Sequence, residues 1–260
     1  RHRRHLSLSI EKEQYGLGVD RVGHVPHGGL ADLGASARAA QLAAHRVEPR
    51  GAAFAVTGDF YSHQVEKKIF IPLGMKNATY GRDALMANAS WAKPHVYSGK
   101  SWVATVPNEN YYHVPPAAGV NASIQDMAIW LNAQLGHHPD VLSPGLLAKI
   151  QTPQVNTPGE LRASGWRHDR LSKASYALGW RVFTYQGRTM VFHGGAVRGY
   201  RGLVAFLPEQ DTGIAVLWNS ESASPSAFLP TWMDRALGVQ GKDWLGLNDT
   251  ADASAEAAQD

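Results

Sequence analysis

Trp180-Arg181-Val182-Phe183-Thr184-Tyr185, then Gln186-Gly187-Arg188, then Thr189-Met190-Val191-Phe192-His193: the reading of this stretch decides the fold. Two runs rich in β-branched and aromatic residues flank a short polar turn that contains glycine, the pattern of a β-hairpin. Just downstream, Leu203-Val204-Ala205-Phe206-Leu207 and Ile214-Ala215-Val216-Leu217-Trp218 are separated by the turn-rich Pro208-Glu209-Gln210-Asp211-Thr212-Gly213. Both runs are apolar throughout, so the spacing predicts central strands in a sheet covered on both faces. Connections this short make the sheet antiparallel. Phe228, Trp232 and Leu237 suit a closing helix that supplies part of the cover.

Upstream the period changes from two to that of a helix. Tyr61, Val65 and Ile69 recur every four residues within 59–70, and Pro72 with Gly74 ends the pattern. Ser123 and Asp126 are spaced as a capping box before Ile124, Met127, Ala128, Leu131 and Leu135, and Gly136 closes that helix. Ser143-Pro144 opens a third, with Leu146, Leu147 and Ile150 facing inward. Strands gathered late and helices gathered in the middle predict an α+β chain, not a doubly wound nucleotide fold. Neither GxGxxG nor GxxxxGK occurs.

The chain has 260 residues, 44% of them hydrophobic and 18% charged, enough for a sizeable core. It has no cysteine, which excludes disulfides, thiolate nucleophiles and Cys-bound zinc. No run is long and apolar enough for a membrane span, and Arg1-His2-Arg3-Arg4-His5 leads into too short an apolar stretch for a signal peptide, so location stays open. The net charge of +3 is spread among acids beyond the first residues, which argues against a nucleic-acid partner. His137-His138 reads as a surface turn, not a metal site. Asn77-Ala78-Thr79, Asn88-Ala89-Ser90 and Asn121-Ala122-Ser123 fit the glycosylation string, which is too common to carry weight.

Three ordered motifs carry a resemblance: Phe70-Ile71-Pro72-Leu73-Gly74-Met75; Pro115-Pro116-Ala117-Ala118-Gly119-Val120-Asn121-Ala122-Ser123; and His193-Gly194-Gly195-Ala196-Val197-Arg198-Gly199-Tyr200. Over about residues 55–245 the chain resembles the β-lactamase-related serine hydrolases, the class C-like penicillin-recognising enzymes that include esterases and D-peptidases. The resemblance implies an antiparallel sheet flanked by helices, a helical lobe, and a cleft between them. It also implies acyl transfer through an acyl-serine on a small-molecule ester, amide or lactam, with no metal or organic cofactor.

Within that resemblance His193 occupies the cleft-facing strand motif, Gly194 and Gly195 let substrate approach the backbone, and the N–H of Ala196 would be an oxyanion donor. The nucleophile and its base sit in a Ser-x-x-Lys motif, and the candidates are Ser9 and Lys12, although Glu13-Gln14-Tyr15-Gly16 supports a helix there poorly. Ser90-Trp91-Ala92-Lys93 follows the Pro-Leu-Gly-Met segment, the wrong order for the family, and Pro94 ends any helix at once. Tyr61, in Tyr61-Ser62-His63, is the candidate proton-transfer residue, against its reading as a core tyrosine.

Residues 1–55 are poorly specified, 56–247 form the β-lactamase-related domain, and 248–260 are expected to fray. The Arg, His, Ala and Gly excess of the first segment fits a truncated or frame-shifted gene. A catalytically incomplete relative that keeps the cleft is therefore the alternative function. Loss of part of the helical lobe would leave apolar faces without partners and favour oligomers.

Overall fold

A computed structural model describes residues 5–7, 49–113 and 115–246. Ser9, Lys12 and the tail from Asn248 lie outside the described residues. In chain order the strands are β1 (His5–Ser7), β2 (Thr79–Tyr80), β3 (His95–Tyr97), β4 (Trp102–Ala104), β5 (Val120–Ser123), β6 (Val155–Asn156), β7 (Leu171–Tyr176), β8 (Arg181–Tyr185), β9 (Arg188–Val197), β10 (Tyr200–Leu207) and β11 (Thr212–Trp218). The helices are α1 (Pro49–Thr57), α2 (Tyr61–Val65), α3 (Ile71–Leu73), α4 (Arg82–Met86), α5 (Pro115–Ala118), α6 (Ile124–Gln134), α7 (Pro144–Gln151), α8 (Gly165–Arg170) and α9 (Phe228–Ala236). A π turn over Glu66–Phe70 joins α2 to α3.

The fold is α+β, as the sequence predicts. Six strands form one sheet in the order β11-β10-β9-β8-β7-β6, every pair antiparallel. The β8–β9 hairpin closes on Gln186 and Gly187, both at positive φ, the backbone that suits the twist of a two-residue hairpin turn. Period-two alternation then sorts the side chains. Phe183, Met190, Phe192, Leu203 and Ala205 pack with Leu229 and Met233 of α9. On the opposite face Val182, Val191, Val204 and Phe206 pack with Met127 and Leu131 of α6. The sheet is thus covered on both faces, which explains the unbroken apolar runs.

Four expectations need correction. The strand β10 is central, but β11 is an edge among the described residues, and all seven of its residues are half-buried. In α6 the capping box forms as expected: Ser123 Oγ accepts from the Asp126 N–H, and Asp126 Oδ2 accepts from the Ser123 N–H at 3.0 Å. The box turns Asp126 inward, so the buried arc runs through Asp126, Met127, Leu131, Ala133 and Gln134 while Ile124 and Ala128 face outward. In α7, capped by Ser143, Leu147 is buried and Leu146 is exposed. In α9 the buried set is one residue out from the prediction, with Leu229 and Met233 inside and Phe228 exposed.

Two glycines are fixed by close approach. A Cβ at Gly213 would fall 2.7 Å from Leu131 Cδ1, where α6 crosses β11. Gly199 has φ +79°, and a Cβ there would lie 2.4 Å from Pro94 Cβ. Its carbonyl accepts from the His95 N–H at 3.2 Å, which ties residues 94–95 to the β9–β10 turn.

The α1–α3 region exposes Phe54, Val56, Phe60 and Ile71. Apolar side chains so close in sequence favour self-association. Sedimentation velocity is expected to show concentration-dependent oligomers, and a monomer that persists at high concentration would contradict this. Ser123→Ala removes the cap and leaves Asp126 buried with fewer donors. It should lower unfolding stability by roughly 1–2 kcal/mol, read from denaturant titration with an unchanged m-value.

Candidate active site

The site is built by an interruption in the sheet. Leu178 and Gly179 turn the chain between β7 and β8, with Gly179 at φ +83° and the Ala177 N–H bonded to the Trp180 carbonyl. The pairing of β8 with β9 consequently ends at Arg181↔Phe192, whereas β9 continues along β10 to Val197↔Tyr200. Among the described residues, 193–197 therefore have β10 on one side only.

The register settles which backbone groups face the open side. Val197 and Tyr200 close a two-residue turn, so they form a hydrogen-bonded pair, and alternation makes 195↔202 and 193↔204 bonded pairs as well. The N–H and C=O groups of Gly194 and Ala196 then point away from β10, along the open edge. Two fixed N–H donors one pleat apart are what an oxyanion or an extended substrate backbone requires.

His193 projects from this strand toward the α6 side, because it shares a face with Val191 and Val204. It borders a cavity of about 270 Å³ whose walls include Tyr61, Met75, Trp130 and Trp180, and into which Gly194 and Gly195 also open. The structure therefore brings Tyr61 and His193, far apart in sequence, to the same cavity. Tyr176 Oη lies 3.4 Å from His193 Nε2, with the two rings edge to face at 6.4 Å.

Burial, and secondarily the positive charge of Arg181, lower the His193 pKa to about 4. The imidazole is then neutral at pH 7, so it offers one N–H donor and one acceptor. At neutral pH this favours hydrogen bonding by an uncharged ring over charge stabilisation by a cation. Positioning of substrate through hydrogen bonds is retained.

Tyr61 stands edge to face with Tyr80 at 5.9 Å and is hydrogen-bonded to it. Burial, then the neighbouring Tyr61, raise the pKa of Tyr80 well above the ordinary phenol value. The ring of Tyr61 is thus both a wall of the cavity and a packing partner of Tyr80.

The other motifs resolve plainly. Ser90–Lys93 runs through a turn and an isolated bridge, not one turn of helix, so Ser90 and Lys93 do not form a nucleophile–base pair of the helical kind. His137 Nε2 lies 2.7 Å from Asp211 Oδ1 on the surface, and no cluster of metal-ligating side chains occurs among the described residues. Asn121 is fully buried, its side chain bonded to Tyr112 Oη, Thr79 Oγ1 and the Gly81 carbonyl, so its Asn-x-Ser string is not accessible. No helix of the described residues is long and apolar enough to cross a membrane.

Sequence reasoning missed Tyr176 and Arg181 as neighbours of His193. Their signal was the Ala177-Leu178-Gly179-Trp180 turn, which sets Tyr176 opposite Arg181 in the β7–β8 register beside the end of the β8–β9 ladder.

Comparison with known proteins places this geometry in a family. The β-lactamase family model matches residues 51–237. The chain belongs to the β-lactamase family. It is 30% identical over 179 residues to an unguisins hydrolase of Aspergillus campestris, covering 68% of this chain and 32% of that protein. It is 26% identical over 183 residues to a D-aminopeptidase of Brucella ovis, covering 70% of this chain and again 32% of the relative. The chain thus spans about a third of the length of these curated relatives. Among solved structures, the octameric penicillin-binding protein homologue from Pyrococcus abyssi superposes with a TM-score of 0.63 at 23% identity, covering 74% of this chain and 41% of that one. A D-stereospecific amidohydrolase from Streptomyces gives a TM-score of 0.51 at 18% identity, covering 64% and 46%. These two likenesses establish the fold.

The depressed histidine pKa has a stability consequence. Between about pH 6.5 and pH 4 the unfolded chain binds a proton at His193 that the folded chain does not, so stability falls as pH falls through this window. The loss is at most about 3 kcal/mol. His193→Gln should flatten the pH dependence of unfolding there relative to the parent chain. Equal slopes in the two proteins would show that His193 is not held neutral.

Proposed function

We propose that this chain is the sheet-bearing part of a serine hydrolase that transfers an acyl group from a small-molecule ester, amide or lactam through an acyl-serine. The observation that carries the reading is the open edge at residues 193–197, with the Gly194 and Ala196 N–H groups directed outward beside a neutral His193. Its relatives include proteins named a hydrolase and a D-aminopeptidase, which supports amide-type substrates.

In this reading the carbonyl oxygen of the substrate sits at the β9 edge and takes up charge as the serine adds. The Ala196 N–H is one donor to that oxyanion, and the flat Gly194-Gly195 backbone allows the approach. His193, donating or accepting through Nε2 and held by Tyr176, orients the substrate. Ser9 and Lys12 are assigned as nucleophile and base, and Tyr61 as the hydroxyl that relays the proton. The serine adds to the carbonyl carbon, the leaving group departs with the proton taken from the serine, and water then releases the acyl group. No metal or organic cofactor enters these steps.

A second reading, an incomplete relative that keeps the cleft without turnover, is favoured by one observation. Among the described residues no serine–lysine pair lines the cavity that His193 borders.

Intact-mass spectrometry after incubation with a fluorophosphonate, and separately with a penicillin, distinguishes the two. One stoichiometric adduct mapped by peptide analysis to Ser9, and lost in Ser9→Ala, is expected from the first reading. An adduct at another serine would remove Ser9 and Lys12 from the mechanism. Folded protein that forms no adduct would establish the second.

A further inference from the structure

Gly194-Gly195 is shared by two cavities. The one described above lies on the α6 side of the sheet, and the other, of about 340 Å³, lies on the α9 side, where the even-numbered side chains of β9 point. Its walls are mixed: Trp166, Phe192, Trp218 and Leu229 are apolar, Ser164, Ser222 and Ser226 are polar, and two arginines, Arg167 and Arg201, also line it.

Neither arginine is spent. Arg201 uses only Nη1, which donates to the Val197 and Tyr200 carbonyls at 2.9 and 2.8 Å, and it meets no carboxylate among the described residues. Arg167 uses only Nη1, on Glu160, and Glu160 is shared with Arg181. Arg167 Nε is buried and has no hydrogen-bond partner among the described residues, and the same holds for Ser164 Oγ on the same wall. Burial, with the neighbouring Arg181 adding to it, depresses the Arg167 pKa despite the opposing Glu160, as expected of a cation only partly compensated by negative charge. Two like charges bordering one partly enclosed cavity are unfavourable unless an anion joins them. A guanidinium pairs best with a planar, two-oxygen acceptor.

We infer that the cavity behind Gly194-Gly195 is a carboxylate site, taking an acid with a small apolar body through Arg201 and Arg167. The carboxylate lies against the guanidinium groups, and the apolar body lies against Trp166, Trp218 and Leu229. Backbone atoms of Gly194 and Gly195 then form a common wall between the bound acid and the open strand edge. The assignment needs no nucleophilic serine, so it stands or falls separately from the hydrolase reading.

The test is isothermal titration calorimetry of the full chain with N-acetylglycine and with N-acetylglycinamide, paired with tryptophan fluorescence because two tryptophans line the site. The acid should bind and the amide should not. Arg201→Gln should weaken acid binding at least about tenfold in protein that still unfolds cooperatively and is folded at the assay temperature. Arg167→Gln should weaken it too, but its contact with Glu160 makes Arg201→Gln the decisive variant. Equal binding of acid and amide, no binding to folded protein at about 20 mM, or indifference to Arg201→Gln would each overturn the assignment. Given binding, competition of the acid with fluorophosphonate labelling would identify the carboxylate as part of the substrate. Simultaneous occupancy would identify a separate acid acting from behind the strand.

Discussion

The site depends on where one strand stops. Leu178 and Gly179 reverse the chain so that β8 begins at Arg181, opposite Phe192, and β9 runs on for five residues with a single partner among the described residues. Had β8 started earlier, its backbone would have bonded to Gly194 and Ala196 and closed the edge. The same turn places Tyr176 beside His193. Backbone donors, imidazole and the two cavities on either side of Gly194-Gly195 all follow from this one interruption.

Electrostatics refine what that geometry can do. His193 stands in a part of the sheet where burial and Arg181 both oppose protonation, so the strand edge presents neutral, directional hydrogen-bonding groups. Positive charge is concentrated on the other face, where Arg167 and Arg181 share Glu160. The two sides of one strand thus differ in character: apolar and neutral toward α6, apolar and cationic toward α9. Farther along the same face, buried Asp234 accepts from Arg170 Nη2, Tyr185 Oη and Trp244 Nε1, fixing α9 against the sheet with its charge fully bonded.

Much of this was legible in the residues. The hairpin at Gln186-Gly187, the capping box of Ser123 and Asp126, the proline-started α7 and the strand motif at His193 were readable because each is local: a turn, a cap or a period is written in neighbouring positions. The errors are of another kind. Ile124, Leu146 and Phe228 were assigned inward, but each sits within a helix's first turn, where capping and tertiary packing set the rotation. An apolar β11 gives no sign of being an edge among the described residues, because strand order is a long-range property. The cavity shared by Tyr61 and His193 and the pairing of Arg167 with Glu160 were equally invisible, since they arise from faces of separate elements. Ser9 and Lys12, proposed on the Ser-x-x-Lys pattern, fall outside the described residues.

The most direct test of the open strand edge is residue-resolved amide hydrogen exchange across 193–197. The Gly194 and Ala196 amides should exchange much faster than those of His193, Gly195 and Val197, which the register bonds to β10. Uniform protection along the segment, or the opposite alternation, would mean that the edge is closed or the register displaced, and the site described here would not exist.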